Sequence, residues 1–228
     1  MYGSDPLGLL SWRFEQEQAG YGVSTDLLSH SVDLAHMLLG PAATVVGTRA
    51  TVIPERPLPV PGASHYGRGA PGDPTAPVTN EDYVGALVVF ENGVHGAFES
   101  SRTLVGPESQ MAFDIYGTKG ALSWNLERMN ELQVYLAGDD AHAGYTTVFA
   151  GDRFPYHGNF VPGSANGIGF EDLIAIEDYE FLQALARGEP FRPGFEDALA
   201  YVAFQAALIR SWESGGWESV VPILEVTA

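Results

Sequence analysis

The chain has 228 residues, 45% of them hydrophobic and 18% charged, a composition that supports a packed core and excludes a wholly disordered chain. Its formal net charge of -18 comes from 29 acidic against 11 basic side chains scattered along the sequence, so nucleic acid and anionic membrane are poor partners and a neutral or cationic small molecule or a protein is a better one. Without cysteine there is no disulfide framework, thiolate metal site or cysteine nucleophile.

No apolar run approaches the roughly 18 residues of a membrane span, and no basic-then-apolar leader opens the chain. A soluble, cytoplasmic protein is therefore expected. The start, MYGSDPLGLLSWRF, enters structured-looking sequence almost at once, as a piece of a longer protein would.

From Gly22 to Gly40 (GVSTDLLSHSVDLAHMLLG) the periodicity predicts one helix. Ser24 or Thr25 is its expected cap, Asp26 lies in the first turn, and Gly40-Pro41 stops it. The β-branched run Ala43 to Ile53 predicts a strand. Pro54 to Thr79 is rich in Pro and Gly, lacks periodicity and reads as a long loop. Asn92-Gly93 between DYVGALVVF and GVHGAFESS is a hairpin signal. MAFDIYG and GALSW, joined through Gly117-Thr118-Lys119-Gly120, and then ELQVYL extend an antiparallel meander.

Ala137 to Gly169 reads as a second irregular region. Its Tyr145, Phe154, Tyr156, His157, Asn159 and Phe160 suit a ligand wall or a loop packed on a sheet. Helices are predicted over Glu171 to Arg187 and Glu196 to Ser214, followed by a short strand, ESVVPI. This order predicts an α+β fold with a mainly antiparallel sheet. No GxGxxG follows a strand and no GxxxxGK[ST] occurs, so no nucleotide-binding fold and no cofactor-binding residues are expected in this chain.

Asp26, His30 and Asp33 fall within a wedge of about 60° on an ideal helix. Four readings fit. In a structural one, Asp26 supports the helix N-terminus and His30 donates to a nearby carbonyl. A metal site would use His36 as a further ligand, but His36 is about 120° around the helix from His30. In acid/base chemistry the imidazole exchanges a proton while a carboxylate one turn away orients it. A hydrolase using Ser29 or Ser31 lacks the GxSxG elbow.

LSWRFEQEQAGYGVSTDLLSHSVDLAHMLLGP resembles the segment of the glucose-fructose oxidoreductase / inositol dehydrogenase / MocA family that carries an aGgG-x-x-x-D-x-G-x-H-x-x-D pattern just beyond its Rossmann domain. EDYVGALVVFENGVHGAFESSR is similar to the family's hairpin, FDIYGTKGALSW to a sheet strand with its Gly-rich turn, and EDYEFLQALARGEPFRPGFEDALAYVAFQAALIRSWESG to its terminal helices. The resemblance implies that residues 1–228 form a single C-terminal domain for substrate binding and oligomerisation. It implies an open, mainly antiparallel sheet with helices on one face, like the C-terminal domains of dihydrodipicolinate reductase and glyceraldehyde-3-phosphate dehydrogenase. The N-terminal Rossmann domain, which holds NAD or NADP, and the lysine of the family's Glu-Lys-Pro motif are not in this sequence.

By the same resemblance His30 is the acid/base for a substrate hydroxyl during hydride transfer, Asp26 orients His30 and binds an adjacent hydroxyl, and Asp33 supports the helix. Tyr21 replaces a family glycine and is expected to narrow the pocket. Leu28 replaces another and is expected to alter the approach of nicotinamide. Trp12 and Arg13 are candidates to line a sugar pocket, or a packing Trp beside an exposed Arg. His157 and Asn159 are candidate substrate contacts or plain loop residues. Lys119 reads as a turn residue, and His65 and His95 as surface or sheet-face groups. No metal is implied.

The parent protein is thus expected to be an NAD(P)-dependent oxidoreductase of a sugar, polyol or related CH-OH compound, homo-oligomeric through its sheet. The isolated chain is expected to be inactive and to bind no cofactor. A glycoside-cleaving relative using NAD, and a non-catalytic sugar-binding or assembly domain, are the alternatives.

Overall fold

The structure, a computed structural model, describes residues 3–64, 66–138 and 143–223; His65 lies outside them. A 3-10 turn at Trp12–Phe14 and two single-turn helices, α1 (Gln16–Ala19) and α2 (Val23–Asp26), lead into α3 (Leu28–Leu39). Strand β1 (Ala42–Ala50), the small hairpin β2 (Glu55–Pro57) and β3 (Thr75–Pro77), β4 (Tyr83–Phe90) and β5 (His95–Ser101) follow. Next come β6 (Ala112–Gly117), β7 (Gly120–Asn125), β8 (Glu131–Leu136), β9 (Thr146–Phe149), α4 (Phe170–Arg187), α5 (Phe195–Ser214) and β10 (Glu218–Ser219). They fall into two compact units, Met1–Pro107 with Pro193–Ala228, and Glu108–Arg192.

In the first unit the sheet order is β10-β1-β4-β5, with every neighbouring pair antiparallel. The β4–β5 hairpin turns where Asn92-Gly93 predicts it, with Gly93 at a φ of 84° that a residue carrying Cβ rarely adopts. Alternation sends Val84, Ala86, Val88 and Phe90 of β4 to one face beside Val45 of β1 and Phe98 of β5. On that face α3 contributes Leu28 and Val32, and α5 contributes Phe204, Ala207 and Leu208. Full burial of each large apolar side chain stabilises the fold by roughly 1.5–3 kcal/mol. A Cβ on Gly47 would lie 2.4 Å from Leu208 Cδ1, so β1 carries glycine where Leu208 of α5 packs against it.

The second unit is the antiparallel meander β6-β7-β8-β9 with α4. Phe113 and Trp124, directly paired across β6 and β7, stack with ring centres 5.9 Å apart. The segment from Gly151 to Gly169 is held by Asn130, which donates to the Ile168 carbonyl and accepts from its N–H, both at 2.9 Å.

Four expectations are corrected. The first helix is broken at Leu27 into α2 and α3, and Ser24 and Thr25 lie inside α2 instead of capping it. The loop from Pro54 to Thr79 carries the β2–β3 hairpin, paired Glu55 to Pro77 through Pro57 to Thr75. The region after Ala137 contains β9, because Thr146–Phe149 completes its hydrogen bonding on the edge of β8. The terminal strand is short: Glu218 and Ser219 pair with β1.

Candidate active site

Phe14 is fully buried between two guanidinium groups, Arg56 at 4.0 Å and Arg102 at 4.4 Å from its ring centre. That sandwich fixes the Trp12–Phe14 turn on the sheet. The Arg13 carbonyl accepts from Asn80 Nδ2 at 3.0 Å and from Arg102 Nη1 at 2.9 Å. Arg102 is fixed by Asp82, with Nε to Oδ1 at 2.7 Å, and Asp82 Oδ2 accepts the N–H groups of Val52 and Ile53 at 2.9 and 3.0 Å. The Asp82 side chain is 0% exposed and that of Arg102 14%. A buried carboxylate is tolerable only with this full set of partners.

The α2 turn is held from outside itself. Its first N–H groups have no acceptor within the helix, and Glu81 supplies them. The Glu81 carbonyl accepts from Val23 N–H at 3.2 Å, and Oε1 accepts from Ser24 N–H at 3.0 Å and Ser24 Oγ at 2.7 Å. Gly22 permits this approach, since a Cβ there would lie 2.1 Å from the Glu81 carbonyl oxygen. From α5, the Tyr201 hydroxyl donates to the Ser24 carbonyl, and Gln205 Nε2 donates to Thr25 Oγ1 at 2.5 Å. Burial, with a smaller contribution from Glu81, pushes the Tyr201 phenol well above its ordinary value and keeps it protonated as a donor.

These anchors bring Trp12, Arg13 and Asp26 together. Arg13 Nη1 meets Asp26 Oδ2 at 3.2 Å, with side chains 38% and 57% exposed. The Arg13 guanidinium also sits 4.8 Å from the Trp12 ring centre, and Trp12 is 49% exposed. Asp26 Oδ1 carries no hydrogen bond among the described residues. His30, in the first turn of α3, is exposed and has no hydrogen-bond or ion-pair partner among the described residues. Asp26 is thus paired with Arg13 and not with His30. The surface offers an aromatic face, guanidinium donors, a carboxylate acceptor and an imidazole, groups that can stack on and hydrogen-bond to a small polar ligand.

The other predicted residues fall elsewhere. Tyr21 packs on Trp212 of α5 at 5.8 Å, and Trp212 carries the Arg49 guanidinium at 4.9 Å on its ring. Leu28, expected to alter the approach of nicotinamide, is fully buried in the core. His36 turns inward: Nε2 accepts the Ala42 N–H at 3.3 Å, and burial, opposed by Asp33, holds its pKa below the ordinary value. Among the described residues no cluster of three or more metal-ligating side chains occurs. Ser29 donates its hydroxyl to the Asp26 carbonyl at 2.8 Å.

His157 and Asn159 belong to the second unit, in a 3-10 turn where His157 packs on Phe154 at 5.9 Å. His157 Nδ1 is buried with no hydrogen-bond partner there. Lys119 stands in the exposed β6–β7 turn, and His95 is exposed at the start of β5. A cavity of about 260 Å³ at the end of α4, lined by Glu180, Arg187, Phe191 and Arg192 among others, contains none of the predicted residues.

The group missed in the sequence is Asn80-Glu81-Asp82. Three polar residues in a row just ahead of an apolar strand are its only signal, and they are 2%, 2% and 0% exposed.

The first unit is thus an α+β arrangement whose antiparallel sheet is covered on one face by helices, with an open polar and aromatic cluster. Residues 2–123 match the model of the GFO/IDH/MocA C-terminal domain, and the chain belongs to that family. Levoglucosan dehydrogenase of Pseudarthrobacter phenanthrenivorans is 36% identical over 225 residues, covering 97% of this chain and 57% of the relative. Inositol 2-dehydrogenase of Rhizobium meliloti is 25% identical over 83% of this chain and 47% of its own length. A solved levoglucosan dehydrogenase in complex with NADH and L-sorbose superposes with a TM-score of 0.88 at 33% identity, over 97% of this chain and 57% of that one. The chain therefore spans about half the length of the relatives it matches. Among the described residues no helix is long and apolar enough to cross a membrane.

Proposed function

We propose that this chain is the substrate-binding and oligomerisation domain of a cytoplasmic NAD(P)-dependent oxidoreductase acting on a neutral sugar, polyol or related CH-OH compound. The observation that carries the reading is the exposed Trp12–Arg13–Asp26 cluster with His30 one turn further on. Relatives named as dehydrogenases of levoglucosan and inositol, and a neighbour solved with NADH and L-sorbose, support it.

Asp26 Oδ1 and the remaining donors of Arg13 bind adjacent hydroxyls, and Trp12 packs on the C–H face of the ring. His30 takes the proton of the reacting hydroxyl in oxidation and returns it in reduction. When held by the complete protein, the nicotinamide cofactor would supply the hydride acceptor or donor. This sequence has no glycine-rich turn between a strand and a helix to hold a dinucleotide, so the residues described fit the substrate half of the reaction, and turnover by the chain alone is not expected. His157 and Asn159 are kept as candidate substrate contacts within the second unit alone. Oligomerisation uses the sheet face opposite α3 and α5.

The test is turnover of levoglucosan and inositol by the complete protein with NAD or NADP. His30→Ala lowers turnover by about 10² or more with the fold intact by circular dichroism. Unchanged turnover overturns the acid/base role, and sugar release without net NADH formation replaces the dehydrogenase with a glycoside-cleaving enzyme.

A further inference from the structure

The buried run Asn80-Glu81-Asp82 grips the two segments that carry the candidate site. Asn80 directly, and Asp82 through Arg102, fasten the carbonyl of Arg13. Glu81 fastens Val23 and Ser24, just ahead of Asp26. We propose that Glu81 is the positioning residue that brings Asp26 to Arg13. This rests on Asp26 and Arg13 being the substrate-binding pair described above.

A four-residue helix such as α2 has no stability of its own. Ser24 is held on all its polar groups: the N–H and hydroxyl by Glu81 Oε1, the carbonyl by Tyr201. A charged acceptor makes the stronger bond, and it lies at the end of the turn where the backbone dipoles favour a negative charge. Gly22 already lies in contact with the Glu81 backbone, so the turn has no room to move towards it. With Ser24 fixed on both sides, only Thr25 separates the anchor from Asp26. Glu81 itself is 2% exposed, and its Oε2 makes no hydrogen bond among the described residues. It is out of reach of substrate and acts only through Ser24. Fixing a group to within an ångström is what substrate orientation requires.

The test follows the Arg13 guanidinium in the nitrogen–proton spectrum of the 228-residue chain, its resonance assigned by Arg13→Lys and its unpaired position defined by Asp26→Asn. Glu81→Ala, and Glu81→Asp, which shortens the reach but keeps the charge, move the Arg13 signal at least halfway to the unpaired position. Glu81→Gln, which keeps an oxygen for Ser24, restores it. Thermal stability is recorded for each variant, and Glu81→Asp serves if Glu81→Ala does not fold. An Arg13 signal unmoved in folded Glu81→Asp or Glu81→Ala overturns the proposal, as does a Glu81→Gln signal that moves as far as that of Glu81→Ala. The spectrum needs no turnover, so it judges Glu81 separately from the effect of His30→Ala on activity.

Discussion

The Asp26 carboxylate meets Arg13 at 3.2 Å, and His30 stands apart with its imidazole in solvent. The two parts of the candidate site therefore differ: one is an ion pair, the other an open imidazole. Both members of the pair are well exposed, so it contributes only about 0–1 kcal/mol to stability. Arg13→Gln is expected to leave the urea midpoint nearly unchanged while raising the KM for sugar in the complete protein. A large loss of stability with KM unchanged would make the pair structural.

Arg102 and Asp82 are the opposite case. Their pair is buried, and Arg102 also reaches the Arg13 carbonyl and the Asn80 side-chain oxygen. Arg102→Ala leaves Asp82 buried without its cation and is expected to cost about 3–5 kcal/mol, measured by chemical denaturation of the chain.

His36 makes stability depend on pH. Burial lowers its folded pKa below 6.5, so the unfolded chain binds a proton first as pH falls. Its contribution is present in full above pH 6.5, declines as pH drops through that value, and is lost once the lower folded pKa is passed. His36→Gln, which keeps an acceptor for the Ala42 N–H, is expected to flatten this part of the urea-midpoint profile. An unchanged slope would show that other groups set it.

Leu87 is 55% exposed and lies in register with Val46 of β1 and Ala97 of β5, on the face turned away from α3 and α5. An exposed apolar sheet face suits a self-complementary contact. Leu87→Arg is expected to shift the chain towards monomer in sedimentation equilibrium. A wild-type chain that is already monomeric at micromolar concentration would remove this face as the interface.

The hairpins were legible because Asn92-Gly93 and Gly117 to Gly120 are local turn chemistry, and α4 and α5 because period and stop signals agree. Strand β9 was not, since Thr146–Phe149 is short and owes its hydrogen bonds to β8, with Thr147 opposite Gln133. The break at Leu27 was hidden because apolar periodicity runs through it. In the candidate site, pattern and family resemblance point to Asp26 and His30 as candidates. The Arg13–Asp26 contact and the Glu81 anchor were not legible, because they join residues 13 and 57 positions apart, and a run of polar residues reads as surface until its partners are known.

The anchors on the site segments are directed largely at main chain. Asn80 and Arg102 hold the carbonyl of residue 13, and Tyr201 holds that of residue 24, groups that every amino acid supplies. The side chain at position 13 can therefore be exchanged without loosening the turn that presents it. If the proposed function holds, single substitutions at positions 12 and 13 would change which hydroxyl compound is accepted while the framework beneath stays as it is.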